Sequence, residues 1–163
     1  MVKAASNRQL KAAFNQHLEQ TKKQAKRLED LLVSHGETTR GPKCQGMEGV
    51  LKEGDEMIGE DADEEVRDAG LIAAAQRVEH YEIAGYGCAR TYAELLGDKK
   101  GAKVLDMTIK EEGATDKKLT QLARSVINVK AKAAPSKSSR QKNSREQSGV
   151  SKAMTNMVKM VTG

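Results

Sequence analysis

Residues 10–35 carry the pattern that most restricts the fold of this chain. Selected side chains recur after four and then three residues, a spacing that places them on one stripe of an α-helix. The stripe consists of Leu10, Phe14, His17, Thr21, Gln24, Leu28, Leu31 and His35. Ser6, followed three residues later by Gln9, predicts the helix start as a capping box, and Gly36 predicts its end. Such a stripe has to pack against other helices.

Three more helices are predicted after the first one. A short helix spans about 43–60, a long helix runs from Asp61 to about Leu96 and ends at Gly97, and another covers roughly 99–129. Aromatic residues make up only 2% of the chain, which disfavours a sheet because sheets are rich in aromatic and β-branched residues. The connecting loops are short. We therefore expect an all-α, up-down helical bundle over residues 1–129.

Several classes of protein are excluded by what the sequence lacks. It has no Gly-rich phosphate loop after a strand, no Cys-x-x-Cys zinc motif, and no apolar run of about 18 residues that could cross a membrane. Cys44 and Cys88 have no paired spacing, so they are interpreted as reduced thiols. These features predict a cytoplasmic protein that does not associate with membranes.

Polar side chains interrupt the apolar stripes near the middle of three helices. On the first helix these are His17, Thr21 and Gln24, on the third Glu79 and Glu82, and on the fourth Glu112 and Asp116. An unpaired carboxylate buried in a bundle costs several kcal/mol, so something has to compensate its charge. In bundle cores the compensating group is often a pair of metal ions held by inward-facing Glu and His.

A second interpretation of the third helix needs no metal. An apolar stripe lies one position away from Glu79 and Glu82. If this stripe is the buried face of the helix, both carboxylates lie at its solvent-exposed edge. This stripe consists of Leu71, Ala74, Val78, Tyr81, Gly85, Cys88, Tyr92 and Leu95. Periodicity alone favours neither interpretation.

Five segments of the chain resemble the ferritin-like bacterial stress proteins typified by YciE and YciF, the family named domain of unknown function 892. They read LKAAFNQHLEQT, RLEDLL, GPKCQGMEGVLKEG, VRDAGLIAAAQRVEHYEIAGYG and KEEGATDKKLTQLA, and the resemblance covers roughly residues 3–126. It implies a ferritin-like bundle, a homodimer, a dimetal centre of iron or manganese, and a role in bacterial stress responses. It implies no settled enzymatic activity.

The resemblance also implies which side chains are metal ligands. They are His17, Glu79, Glu82, Glu112 and Asp116. Any catalysis would then be oxidation at the metals, with Glu79 or Glu82 bridging and His17 terminal. His80 follows Glu79 by 100° of helix rotation and is expected to face away from the site.

Two departures from the family pattern bear on the completeness of the site. Relatives begin with an additional helix that supplies a carboxylate, and this chain is expected to start at the far end of that helix. Relatives also have Glu-Glu where this chain has Glu19-Gln20. Without the additional helix, the seam of Leu10, Phe14, Leu28 and Leu31 is expected to face water until a second subunit or a C-terminal segment covers it.

The C-terminal region differs in charge from the rest of the chain. Residues 130–163 contain eight Lys and Arg against the single acid Glu146, a net charge of +7, which leaves −2 for residues 1–129. This composition predicts a disordered basic tail with a short amphipathic segment at 150–161. The alternative function is therefore a nonenzymatic scaffold that binds nucleic acid nonspecifically through residues 130–152, and a merely solubilising tail is the simpler interpretation.

Overall fold

The structure, a computed structural model, describes residues 1–134. The amphipathic segment predicted at 150–161, and the tail from residue 135 onward, lie outside the described residues. Within them the chain is all-α, as predicted. The helices are α1 (Arg8–Ser34), α2 (Gln45–Gly59), α3 (Glu64–Leu95), α4 (Lys99–Leu122) and α5 (Asn128–Ala133), with a π-helical turn at Ala123–Ile127 joining the last two.

Three long helices and one short helix pack side by side. α3 and α4 form an antiparallel pair, so that Gln76 lies beside Asp116 at one level and Arg90 beside Asp106 at another. α1 packs on α4, and α2 lies along α3, with Met57 beside Gly70 and Gly46 beside Tyr81. The predicted helix ends are confirmed at Gly36 and Gly97, whose φ angles of 75° and 77° are favourable for glycine alone.

α1 begins differently from the prediction. The N-cap is Asn7 and not Ser6, because the Asn7 side chain accepts hydrogen bonds from the backbone N–H groups of Gln9 and Leu10. The Ser6 and Asn7 backbone N–H groups instead donate to the two carboxylate oxygens of Asp68 on α3, at 2.8 and 2.6 Å. The start of α1 is thus fixed by a buried acid from another helix.

The hydrophobic core lies at one end of the bundle. The expectation that the α1 seam faces water is wrong for Leu10 and Phe14, which are buried inside the chain itself; Leu28 and Leu31 are half-buried. The core is formed by Ala5, Leu10, Ala13, Phe14, Leu71, Ile72, Ala75, Leu119, Ala123 and Ile127. The homodimer stays a prediction, and it is not needed to cover Leu10 or Phe14.

Two stripes of α3, the apolar stripe through Cys88 and the line through Ile72, Ala75 and Glu79, differ in burial beyond the middle of the helix. In the first half both are buried, with Leu71 and Ala74 on one and Ile72 and Ala75 on the other. Beyond Val78, the stripe through Cys88 turns outward, and every one of its later members is exposed. The line through Ile72, Ala75 and Glu79 stays turned inward, so Glu79 lies on the core line.

The predicted fourth helix extends further than its expected end at 129. α4 continues through the π turn into α5, which ends at Ala133. Ala123 and Ile127, the first and last residues of the π turn, are both buried. The wider turn returns Ile127 to the same face as Leu119, so both side chains reach the core.

Asp68 provides a direct test of how α1 is anchored. Replacing it with Asn keeps the size but removes the charge and one acceptor oxygen. We expect Asp68→Asn to lower the free energy of unfolding by about 1–3 kcal/mol, because buried backbone donors lose a charged partner. Urea denaturation measures the change.

Asp63→Asn is the matched control. Asp63 is the N-cap of α3, but its side chain makes no capping hydrogen bond. Its substitution should change stability by less than about 0.5 kcal/mol, since Asn is an equally good N-cap. Equal effects of the two substitutions would contradict the anchoring role of Asp68.

Candidate metal centre

One side chain from each long helix meets in the interior of the bundle. His17 from α1 places its Nε2 atom 2.9 Å from Oε1 of Glu79 on α3 and 3.7 Å from Oε2 of Glu112 on α4. One ligand atom of each residue lies within 4.8 Å of the others. These three residues are the part of the predicted ligand set that the structure brings together.

The orientation of the His17 ring is set by a threonine. The Thr115 hydroxyl donates to the backbone carbonyl of Glu111 at 3.2 Å, and its oxygen lies 3.1 Å from Nδ1 of His17. Because the hydroxyl proton is already used, the oxygen accepts a hydrogen bond from Nδ1–H. This assignment of the proton leaves Nε2 facing the carboxylates, as metal-binding histidines are usually held.

The two glutamates are buried without adequate partners. Glu79 is 2% exposed and Glu112 is 0% exposed. Oε2 of Glu79 and both carboxylate oxygens of Glu112 accept no hydrogen bond in the structure. Within residues 1–134, His17 is the only basic side chain within ion-pair distance of either carboxylate. Two buried acids that share one imidazole are short of positive charge.

Burial without enough positive charge raises the pKa of both glutamates. Burial, followed by the adjacent Glu79 carboxylate, raises the pKa of Glu112 to about 8. Burial is also the main cause that raises the pKa of Glu79, and the charges of Glu82 and Asp116 add to it. At neutral pH the pair therefore retains a proton. A bound cation would replace that proton and supply the charge that the site lacks.

Glu82 lies at the edge of this cluster. It is half-buried, and its Oε1 atom accepts a hydrogen bond from the Tyr86 hydroxyl at 3.0 Å. Burial raises the pKa of Glu82, and the charge of Glu112 raises it further. Its carboxylate is therefore close to the cluster, yet it does not belong to the group of three converging ligands.

Asp116 makes its contacts elsewhere. Its Oδ1 atom accepts a hydrogen bond from Nε2 of Gln76 at 2.7 Å and lies 3.2 Å from Nε2 of His80. The His80 side chain is 69% exposed, in accordance with the expectation that it faces away from the site. The structure therefore places Asp116 in a polar network between α3 and α4 that is separate from the three converging ligands.

Two residues that support the site, Arg27 and Glu111, were not predicted from the sequence. Glu111, next to Glu112, forms a two-pronged ion pair with the Arg27 guanidinium and accepts a hydrogen bond from the buried Gln24 at 3.1 Å. Burial raises the pKa of Glu111, but these partners outweigh it and the net pKa is lowered. Gln20 lies in the same groove between α1 and α4.

Comparisons with known proteins agree with this fold. The profile of a family described as Domain of unknown function (DUF892) matches residues 1–132. The chain belongs to this family. YciF of Escherichia coli strain K12 is 48% identical to it over 132 residues, 80% of each chain. The crystal structure of YciF, which is a stress protein, matches with a TM-score of 0.73 over 78% of this chain and 80% of that one.

A second solved structure is also similar to this chain. YcfI of Rhodopseudomonas palustris, for which a structural role has been suggested, is 41% identical and matches with a TM-score of 0.70 over 73% of this chain and 76% of its own. The DUF892 chain is thus a helical relative of a bacterial stress protein. None of its helices within residues 1–134 has the length and apolar character required to cross a membrane.

The raised pKa of Glu112 predicts how the stability of the metal-free DUF892 protein depends on pH. Its folded-state pKa of about 8 exceeds the unfolded value, so the protonated group contributes stability below about pH 4 that is lost as the pH rises to 8. We expect Glu112→Gln to make this decline in the free energy of unfolding shallower. Relative to the intact chain, the variant should gain about 1–3 kcal/mol more at pH 8 than at pH 5. Urea denaturation in the presence of a chelator measures it.

The neighbouring Glu111→Gln variant is the control. The pKa of Glu111 is lowered, so its contribution is present at neutral pH and lost only as the pH falls through the folded-state value. This variant should be less stable at pH 7 and keep the decline between pH 5 and 8. If Glu112→Gln keeps that decline as well, Glu112 is not the group responsible.

Proposed function

We propose that this chain is a metal-binding member of the stress-protein family, which holds iron in preference to manganese on His17, Glu79 and Glu112. One observation carries the proposal: three carboxylate oxygens of Glu79 and Glu112 are buried without a hydrogen bond, around the Nε2 atom of a histidine. A binding site prepared for a cation has this appearance, whereas a structural core normally pairs its buried acids.

The kinds of ligand favour the same metals. Carboxylate oxygens and one imidazole nitrogen suit iron and manganese better than the softer metals that thiolates select. Cys44 and Cys88 are both exposed and supply no sulfur ligand to the cluster. A bound iron ion would supply reversible one-electron oxidation. The polypeptide would bind and orient it, and Thr115 would keep the His17 ring turned toward the ion through Nδ1.

The biological setting of the proposal comes from the relative. YciF is a stress protein, and a redox-active metal held in a buried site is consistent with a role in oxidative stress. The two-ion centre implied by the family resemblance would in addition recruit Glu82 and Asp116. The dimetal centre, like a homodimer, stays a prediction.

Metal analysis of protein loaded anaerobically with ferrous iron tests the proposal. The intact chain should retain bound iron after desalting, and Glu79→Gln should lower the affinity at least tenfold, because one of three converging ligands is lost. Bound metal should also raise the unfolding free energy, by about 2.7 kcal/mol at a hundredfold excess over Kd.

Glu48→Gln is the matched control for this measurement. Glu48 lies on α2, is largely exposed, and is not one of the three converging ligands. This variant should bind iron as the intact chain does. Equal, substoichiometric iron in the intact chain, the control and Glu79→Gln would remove the proposed function.

Nucleic-acid binding is the second candidate function, and it rests on the charge of the C-terminal region. Eight basic residues and one acid lie within 130–163, beside a body of net charge −2. We expect weak, nonspecific binding to duplex DNA whose affinity falls steeply with salt, because each phosphate contact releases counterions. A gel shift should be lost when the chain is cut after Ala131. A shift retained by the shortened chain would contradict a role for the tail.

A further inference from the structure

We propose that the cluster binds a single divalent cation, on Nε2 of His17 and the carboxylates of Glu79 and Glu112, while Tyr86 keeps Glu82 outside the coordination sphere. The inference rests on the proposed function, and it departs from the two-ion centre that the family resemblance implies. It concerns the number of ions that the described side chains can hold.

The spacing of the three ligand atoms fits one ion. Adjacent ligands of a six-coordinate ion with bonds of about 2.1 Å lie about 3 Å apart, and opposite ligands lie about 4.2 Å apart. The His17 nitrogen is 2.9 Å from a Glu79 oxygen and 3.7 Å from a Glu112 oxygen, between or near these values. A small movement of each side chain therefore places all three around one centre.

A second ion would need ligands on its far side. Two ions in a shared site lie about 3.5–4 Å apart, so the second would require at least one more carboxylate beyond the bridging ones. In the described part of the chain, the two remaining predicted ligands are Glu82 and Asp116. Both already have partners in the structure.

Asp116 is held by two side chains that do not belong to the cluster, Gln76 and His80. The Gln76 amide, which bonds its carboxylate at 2.7 Å, also donates to the Thr120 hydroxyl at 2.8 Å, and His80 approaches the same carboxylate oxygen from the surface. Moving Asp116 onto a metal would break its hydrogen bond with the half-buried amide of Gln76 and its contact with His80.

Glu82 is held by Tyr86, four residues later on the same helix. The phenol donates to Oε1 of Glu82 at 3.0 Å, and both side chains are half-buried. Residues at this spacing lie above one another on a helix, so the hydrogen bond forms without backbone movement. It holds the Glu82 carboxylate at Tyr86, and Glu82 is not one of the three converging ligands.

The charge of the site also favours one ion. Glu79 and Glu112 as carboxylates, with a neutral His17, carry two negative charges, which one divalent cation neutralises. A second divalent cation that gained Glu82 alone would leave one uncompensated positive charge in a largely buried site, at a cost of several kcal/mol. Neutrality with two ions would require Asp116 as well.

Manganese titration followed by electron paramagnetic resonance tests the number of ions. The intact chain should bind one Mn²⁺ by equilibrium dialysis and give the six-line spectrum of an isolated ion. Glu82→Gln should keep this stoichiometry, with an affinity within about threefold of the intact chain. Tyr86→Phe should bind several-fold more tightly, because the released Glu82 becomes available as a fourth ligand.

The outcomes separate this inference from the proposed function. Two Mn²⁺ per chain with an exchange-coupled spectrum would overturn the single-ion site, and a tenfold loss of affinity in Glu82→Gln would overturn the exclusion of Glu82 from the coordination sphere. Either result would leave metal binding intact. Unchanged or weaker binding in Tyr86→Phe would remove the role of Tyr86. No binding of either Mn²⁺ or Fe²⁺ by the intact chain would remove both proposals. Circular dichroism of each variant confirms that it is folded before the titration.

Discussion

Two carboxylates buried against one imidazole are the constraint on which the rest of this bundle depends. Placing Glu79 and Glu112 in the interior is unfavourable, and the imidazole of His17 offsets only part of the cost. The site therefore exists only because other interactions hold the three helices together around it. The apolar core, centred on Leu10, Leu71 and Leu119, lies at one end of the bundle and supplies that stability.

α3 contributes to both the apolar core, which stabilises the fold, and the polar site, which does not. Its first half buries apolar side chains on two adjacent stripes, whereas beyond Val78 only one line stays inward and it is polar at Glu79 and Glu82. The Arg27–Glu111 ion pair joins α1 to α4 just beside the site. Because both terminal nitrogens of the Arg27 guanidinium bond the Glu111 carboxylate, the pair fixes the separation of the two helices where apolar packing is sparse.

The long helices could be predicted from the sequence because their signals are local. Gly36 and Gly97 mark ends that depend only on backbone geometry, and the four–three spacing identifies the inward face of α1. The N-cap could not be predicted in the same way. Asp68, about sixty residues away in the sequence, accepts hydrogen bonds from the backbone N–H groups of Ser6 and Asn7 and so fixes the chain just before α1. A contact so distant in sequence leaves no periodic signal.

The candidate site was only partly accessible from the sequence for a related reason. The roles of His17, Glu79 and Glu112 as ligands came from the family resemblance, because helical spacing alone left open whether Glu79 faces inward. The partners of Glu82 and Asp116 are decided by rotamers and by neighbours such as Gln76, which periodicity does not describe. The two alternative stripes on α3 were likewise undecidable from spacing, because only the packing of the other helices exposes one of them beyond Val78.

The π turn at Ala123–Ile127 has a consequence for how many residues the chain can hold at this point. A π turn holds one more residue than an α turn, so it acts as a local insertion that the surrounding helix absorbs without unwinding. Loss of a single residue there would return the helix to regular geometry and leave Leu119 and Ile127 seven positions apart, about two full turns, so both would still face the core. The turn is therefore a position at which the chain can gain or lose one residue while the core residues on either side keep their places.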